Sequence, residues 1–357
     1  MPHTRLRVAV VGASGYTGGE LLRLLARHPS ITVTTVTAEK SAGALLSSVF
    51  PHLASLYPHH QLESLEVSTL RHQADFVFFA LPHTKSMDPV AQCIQAKTPV
   101  VDLSADYRLR DHILYETWYH TSHTQTSLLN QAVYGLPEVH RESIRQALLV
   151  AAPGCYPTAA ILQLAPLLAH RLIAIDFPLT IDAKSGISGA GRTATLRYHF
   201  PEAHDSVSAY NIGKHRHTPE IEQELTQIAR ETIPTATVTV QFTPHLVPMS
   251  RGIFSTAYVR MRSSLSTTQL QEVYREYYHG NRFIRVQSDP TVVTPRHVQG
   301  SNYCDISVVA DERTGTIISV AALDNLVKGA AGQAIQCMNL MMGFPEEAGL
   351  IDAGIFP

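Results

Sequence analysis

Charge is scarce in this sequence. Only 16 % of its 357 residues are Asp, Glu, Lys or Arg, and 28 basic against 30 acidic side chains leave a formal charge of −2. Without a basic excess, binding to nucleic-acid phosphates is not expected. With 45 % hydrophobic residues, the chain is too apolar to stay disordered. Yet no apolar run reaches the roughly 20 residues that cross a bilayer, so no membrane span is expected. Met1-Pro2-His3-Thr4-Arg5 leads directly into a run that reads as a strand, so no secretory leader is expected. Cysteine is sparse as well. Cys93, Cys155, Cys304 and Cys337 are widely separated and form neither a disulfide framework nor a CxxC metal pattern. That implies a reducing compartment, the cytoplasm, in which a thiol can be chemically active. Repeats, low-complexity tracts and charge blocks are absent too.

What is present is a regular alternation. Arg7–Val11 is a short apolar run that reads as a buried strand, followed by a glycine loop at 12–19 and a leucine-spaced helix at 20–27. Ile31–Thr37, Phe76–Ala80, Val100–Leu103 and Leu148–Ala152 read as further strands, with a helix at 86–96 among them. Such alternation builds a parallel sheet with helices on both faces. A helix is expected at 158–169. From about Ile173 the texture changes. Alternating strands at 237–242 and 252–260 are separated by single helices near 219–230 and 268–279, which points to a mixed sheet. Strands at 306–310 and 316–322 and a small-residue helix at 329–342 complete the chain. The length suits two domains of roughly 150 residues. The fold class is therefore α/β: a Rossmann-like dinucleotide-binding domain followed by an α+β catalytic and oligomerisation domain.

Strand, glycine loop and helix together form an anion site, because backbone N–H groups and the helix dipole face a phosphate. The glycines fall at 12, 15 and 18, so the loop is GxxGxxG rather than strict GxGxxG. Gly12, Ser14, Gly15, Tyr16, Thr17 and Gly18 are the candidate phosphate contacts. The end of the second strand, Thr37-Ala38-Glu39-Lys40-Ser41, leaves the nucleotide open: Glu39 suits the ribose hydroxyl of NAD, Lys40 and Ser41 the phosphate of NADP.

Three of the cysteines read as buried and inert. Cys155 differs. It lies in Pro153-Gly154-Cys155-Tyr156-Pro157, between a parallel strand and a helix. Helix N–H groups there favour a thiolate, so alkylation faster than that of a free cysteine is expected at pH 7. A thiolate beside a nicotinamide suits attack on an activated acyl carbon, followed by hydride reduction of the thioester. That chemistry needs a proton carrier and cations for an anionic leaving group. His215, His217, Lys214 and Arg216 in Gly213–Glu220, Arg192 in Lys184–Arg192, and Arg251 in Pro248–Gly252 are the candidates. Thr218 is placed as a helix cap with Pro219 at the first helical position. No Cys, Asp or Glu cluster accompanies the HxH pair, so no metal site is expected.

At these residues the sequence resembles the N-acetyl-γ-glutamyl-phosphate reductases of arginine biosynthesis, which are related to aspartate-semialdehyde dehydrogenases. The resemblance covers nearly the whole chain. It rests on Val11–Gly18, Asp102–Asp106, Tyr134–Glu138, Pro153–Thr158, Ser185–Arg192, His215–Glu220, Phe242–Leu246 and Asp324–Ala331. It implies NADPH-dependent reductive dephosphorylation of N-acetyl-γ-glutamyl phosphate to the semialdehyde and phosphate. Cys155 is then the nucleophile, and the His215–His217 pair supplies the acid/base without a choice between them. Ser185, Gly186, Arg192, Lys214, Arg216 and Arg251 form the implied substrate set. Leu81, Pro82 and His83 close over NADP(H), Lys40 and Ser41 meet its phosphate, and Asn325 reaches the nicotinamide end. The implied domains are 1–154 with 325–357, and 155–324, the latter forming a homo-oligomer (dimer or tetramer). Tyr107 and Ala152 depart from the usual Phe and Asn. A substrate one methylene longer, N-blocked α-aminoadipyl phosphate, is the alternative within the class, since such a difference changes discrimination by only about 1–3 kcal/mol. A non-enzymatic dinucleotide sensor is the alternative outside it.

Overall fold

The computed structural model describes residues 5–356. The first four residues, on which the expectation about a leader falls, and Pro357 lie outside the described residues. Contacts divide the chain into two units. One runs up to Pro153 and takes in Ala330–Ile351; the other is Gly154–Gly329 with the tail from Asp352.

The first unit holds a six-stranded parallel sheet. Its strands are β1 (Leu6–Val11), β2 (Ile31–Thr37), β3 (Phe76–Phe79), β4 (Val100–Asp102), β5 (Val133–Tyr134) and β6 (Leu149–Ala151), in the order β2-β1-β3-β4-β6-β5. β1, β3, β4 and β6 are almost wholly buried, which explains their unbroken apolar runs. The two-residue edge strand β5 carries no such run and gives no periodic signal. The first helix spans Tyr16–Leu25, starting inside the glycine loop rather than at 20. Its early turn is built for close approach. A Cβ on Gly18 would lie 2.6 Å from the Gly12 carbonyl, and one on Gly19 would lie 2.7 Å from the Phe50 ring.

The last helix, Gly332–Met341, follows a π-helical turn at Val327–Ala331. Its small face lets it pack against Pro137–Arg145, where Gln333 Nε2 donates to the Gly135 carbonyl (3.0 Å) and Gln336 Nε2 to Glu138 (3.0 Å). Residues 325–329 and 352–356, expected with the first unit, group with the second. The tail is tied there by Ile355 N–H donating to Gln299 O (2.7 Å). Tyr107, the departure from the family pattern, has its hydroxyl satisfied by the Met87 carbonyl (2.6 Å).

The second unit holds a mixed sheet of seven strands: β7 (Leu179–Ser185), β8 (Ser208–Ala209), β9 (Val240–Leu246), β10 (Ile253–Arg260), β11 (Ile284–Val286), β12 (Cys304–Asp311) and β13 (Thr316–Leu323). The order is β11-β12-β13-β10-β7-β9-β8. Only β7–β9 and β11–β12 pair in parallel. Against β10 and β13 packs the helix Cys155–Ala169, buried along nearly its whole length. Pro166 sits inside it and cannot donate to the Leu162 carbonyl. The Tyr278 hydroxyl takes that place, and the Tyr274 hydroxyl donates to the neighbouring Gln163 carbonyl.

Candidate active site

The dinucleotide loop belongs to the first unit. Gly12 has φ +83°, and a Cβ there would lie 2.5 Å from the Ala80 carbonyl and 3.2 Å from Leu81 N. Only glycine lets β1 turn this close to the end of β3. The Gly12 and Ala13 N–H groups donate to Thr37 O at the end of β2 (3.1 and 2.8 Å). Gly15 caps the helix with no side-chain hydrogen bond, and the first turn holds no acid. This cradle fits the phosphates of a dinucleotide. Ser14, Tyr16 and Thr17 are partly or fully exposed at its rim.

Leu81-Pro82-His83 adjoins the same loop. Its neighbours are pinned by Asp106, which accepts from Thr84 N–H (2.6 Å), Ser86 N–H (2.8 Å) and the Tyr115 hydroxyl (2.8 Å). His83 Nδ1 accepts from Ala105 N–H (3.0 Å). The 102–106 block is thus the scaffold of this loop, a role its residue types did not reveal. Burial and the nearby Asp106 push the Asp102 carboxyl above the usual carboxylate range. Lys40 and Ser41 lie in the single turn after β2. Glu39 points its carboxylate elsewhere, accepting from Leu65 N–H (3.0 Å).

The candidate nucleophile lies in the second unit. Cys155 is the first residue of its helix rather than three residues ahead of it, and it is partly exposed. Cys93, Cys304 and Cys337 are buried, and burial pushes the Cys93 thiol up to about 12. The helix N-cap, Gly154, has no side chain to fill the space beside it, and His217 occupies that space. A Cβ on Gly154 would lie 2.5 Å from His217 Nε2 and 2.8 Å from its Cε1. The sequence thus spends its glycine where the imidazole must touch the backbone next to the thiol.

His217 is itself the N-cap of the helix Thr218–Arg230, with Thr218 already helical and no side-chain cap bond. The expected Thr218 cap is therefore corrected: the chain turns one residue earlier to bring His217 onto Gly154. His215 packs against His217 at 4.8 Å between ring centroids, inside an aromatic box of Tyr156, Tyr210 and Phe242. Its Nδ1 accepts from His217 N–H (3.2 Å). Burial, helped by the Arg216 charge, pulls its pKa down to about 4. At neutral pH His215 is a neutral prop.

Glu220, not among the expected site residues, is buried and accepts from Gly154 N–H (2.8 Å). The quoted His-Arg-His-Thr-Pro-Glu block contained it, and its position in the first turn after His217 was the available signal.

Ser185 ends β7, and the following segment lies on the 247–252 turn. Gly186 N–H donates to Gly252 O (2.9 Å) and Ser188 N–H to Ser250 O (3.1 Å). A Cβ on Gly186 would lie 2.8 Å from Arg251 N, so glycine is needed for this pairing. Asn325 joins the two segments: its Oδ1 accepts from Gly252 N–H (2.7 Å) and its Nδ2 donates to Ser188 Oγ (3.0 Å). Arg251 is drawn toward the buried Asp324 (3.4 Å). Arg192, Lys214 and Arg216 are exposed cations. Among the described residues no group of three or more His, Cys, Asp or Glu could hold a metal, and no helix is long and apolar enough to cross a membrane.

Comparison with known proteins gives the family and the fold. Residues 7–147 match the semialdehyde dehydrogenase NAD binding domain, and residues 155–325 match the semialdehyde dehydrogenase dimerisation domain. A relative from Geotalea daltonii named N-acetyl-gamma-glutamyl-phosphate reductase is 52 % identical over 355 residues, covering 99 % of this chain and 100 % of its own. One of the same name from Desulforamulus reducens is 49 % identical over 353 residues, with 99 % and 100 % covered. Among solved structures, aspartate semialdehyde dehydrogenase with NADP from Candida albicans shares the fold at a TM-score of 0.70. It is 18 % identical, with 95 % of this chain and 98 % of that one covered. Aspartate semialdehyde dehydrogenase II from Vibrio cholerae aligns at 0.68 and 17 %, covering 95 % and 98 %. The chain belongs to the semialdehyde dehydrogenase family, in the group of N-acetyl-γ-glutamyl-phosphate reductases, and carries that family's nicotinamide-dinucleotide-binding domain.

Proposed function

We propose that this chain reduces N-acetyl-γ-glutamyl phosphate to N-acetyl-glutamate semialdehyde with release of phosphate, using NADPH, through a thioester on Cys155. The observation that carries the reading is the His217 imidazole resting on Gly154, one residue before a partly exposed thiol at a helix start. His217 takes the thiol proton as sulfur attacks the acyl carbon, and passes it to the departing phosphate. His215 stays neutral and orients His217, so the acid/base role falls to His217. Arg192, Lys214, Arg216 and Arg251, with Ser185 and Gly186, receive the substrate's anionic groups. Bound dinucleotide supplies the hydride that reduces the thioester. As the aldehyde leaves, the thiolate regains a proton from solvent through His217. One proton is therefore consumed per turnover.

NADP rather than NAD is favoured because Glu39 is engaged by Leu65 N–H, while Lys40 and Ser41 follow β2. Asn325, Leu81, Pro82 and His83 serve the cofactor in this reading. The domains are a dinucleotide-binding part and a catalytic part that joins copies into a homo-oligomer, in accord with the dimerisation domain matched at 155–325. A reducing cytoplasm suits four cysteines that form no disulfide with one another.

The test is the reverse reaction with semialdehyde, phosphate and NADP⁺. Phosphate-dependent NADPH formation that disappears in Cys155→Ala is expected. Dinucleotide binding without turnover would favour a sensor. A higher kcat/KM for the semialdehyde one methylene longer would reassign the substrate.

A further inference from the structure

Gly329 presses on the nucleophile. A Cβ there would lie 2.8 Å from Cys155 Cβ and 3.2 Å from Cys155 Cα. Gly329 sits in the π-helical turn Val327–Ala331, and its N–H donates to Asp324 O (2.9 Å). The carboxylate of Asp324 is fully buried and accepts from Gly300 N–H (2.7 Å) and Leu326 N–H (2.8 Å), so the base of the turn is fixed. Asn325, next in sequence, bonds Gly252 N–H and Ser188 Oγ. One six-residue stretch thus touches the nucleophile at one end and the segments 185–192 and 250–252 at the other. Turns of this kind are frequent at functional sites, because the extra residue re-aims the backbone.

We propose that Asp324–Gly329 is a clamp that sets the position of the Cys155 thiol relative to the segments that receive the substrate anion, with Gly329 as its positioning residue. The inference rests on Cys155 being the nucleophile. Gly329 has no side chain because the turn must reach the Cys155 Cβ itself. His217 on Gly154 and Gly329 on Cys155 then hold consecutive residues from separate elements.

Gly329→Ala tests this. A Cβ at 2.8 Å requires the thiol to shift by several tenths of an ångström, and a displacement of about 1 Å costs on the order of 100-fold in rate. The expected result is a loss of kcat in the reverse reaction approaching that size, with dinucleotide affinity unchanged. The pH profile of Cys155 alkylation should move as well. A merely structural glycine would lower Tm but leave that profile alone. The double variant Cys155→Gly/Gly329→Ala removes the nearer struck atom, the Cβ, and, judged against Cys155→Gly alone, should recover part of the Tm that Gly329→Ala loses. Wild-type kcat and alkylation profile in Gly329→Ala would overturn the clamp, as would no recovery of Tm in the double variant. Activity persisting in Cys155→Ala would instead overturn the underlying reading. An inactive Cys155→Ala beside an unaffected Gly329→Ala would overturn the clamp alone.

Discussion

Replacing Gly154 with alanine should separate geometry from folding at this site. The glycine adopts φ −67°, ψ 154°, which any residue accepts, so no backbone strain is introduced. Alanine in place of glycine at a helix N-cap costs about 1 kcal/mol. The new Cβ, however, would sit 2.5 Å from His217 Nε2, against an ordinary contact beginning at 3.4 Å. The ring must retreat by about 0.9 Å (3.4 − 2.5). It cannot swing freely, because His215 and Tyr156 pack against it at 4.8 and 6.0 Å between centroids. A misplacement of that size costs on the order of 100-fold in kcat, or about 2.7 kcal/mol of transition-state stabilisation. Initial rates of the reverse reaction, with Tm and dinucleotide affinity measured alongside, give the comparison. Gly154→Ala should also cost no further kcat once His217 is alanine, leaving only the N-cap stability cost. A variant that keeps half or more of the wild-type kcat would refute the argument. So would an undiminished extra loss in the His217→Ala background, since the struck atom is then gone.

Three further outcomes follow from the same geometry. His215 has a folded-state pKa of about 4, below its ordinary 6.5, so the unfolded chain binds the extra proton between those values. Stability should be whole above pH 6.5 and fall as pH drops toward 4, by at most about 3 kcal/mol from this residue; His215→Gln should flatten that part of the urea-unfolding curve against pH. Glu220→Ala orphans the buried Gly154 N–H and should cost about 1–3 kcal/mol, whereas Glu220→Gln keeps an acceptor and should retain most of the Tm. Gly12→Ala meets the Ala80 carbonyl at 2.5 Å and a φ of +83°, so fluorescence titration should show dinucleotide binding lost, while Cys155 is still alkylated at its wild-type rate.

Much of the site was legible because local chemistry marks it. Val8–Val11 reads as a buried strand from apolar residues alone, and the glycines after it announce a loop that must pass close to something. Cys155 stands out because a proline-glycine break precedes it and a helix follows. Other features left no local mark. β5 is two residues at a sheet edge, too short for any period to register. The helix starts at Tyr16 and Cys155 came earlier than the leucine and alanine spacing indicated, because tertiary contacts at Gly18, Gly19 and Gly154 settle them. Glu220 was in view as part of a motif, but its acceptor role toward Gly154 depends on a residue 66 positions away.

The two histidines show the division most clearly. Sequence placed His215 and His217 together, with nothing to rank them, since an unburied imidazole is the same at either position. The fold buries His215 in an aromatic box beside Arg216 and lays His217 on the backbone next to the thiol. The strand–helix alternation of the first unit, the glycine loop, the candidate cysteine and the pair of histidines were determined by the sequence, because covalent neighbours and periodicity encode them. Which histidine is buried and which lies against Gly154, which glycines are contact points, and which residues Asp324–Gly329 touches were decided by the tertiary structure alone. Desolvation and close packing arise only when segments distant in the chain are brought together.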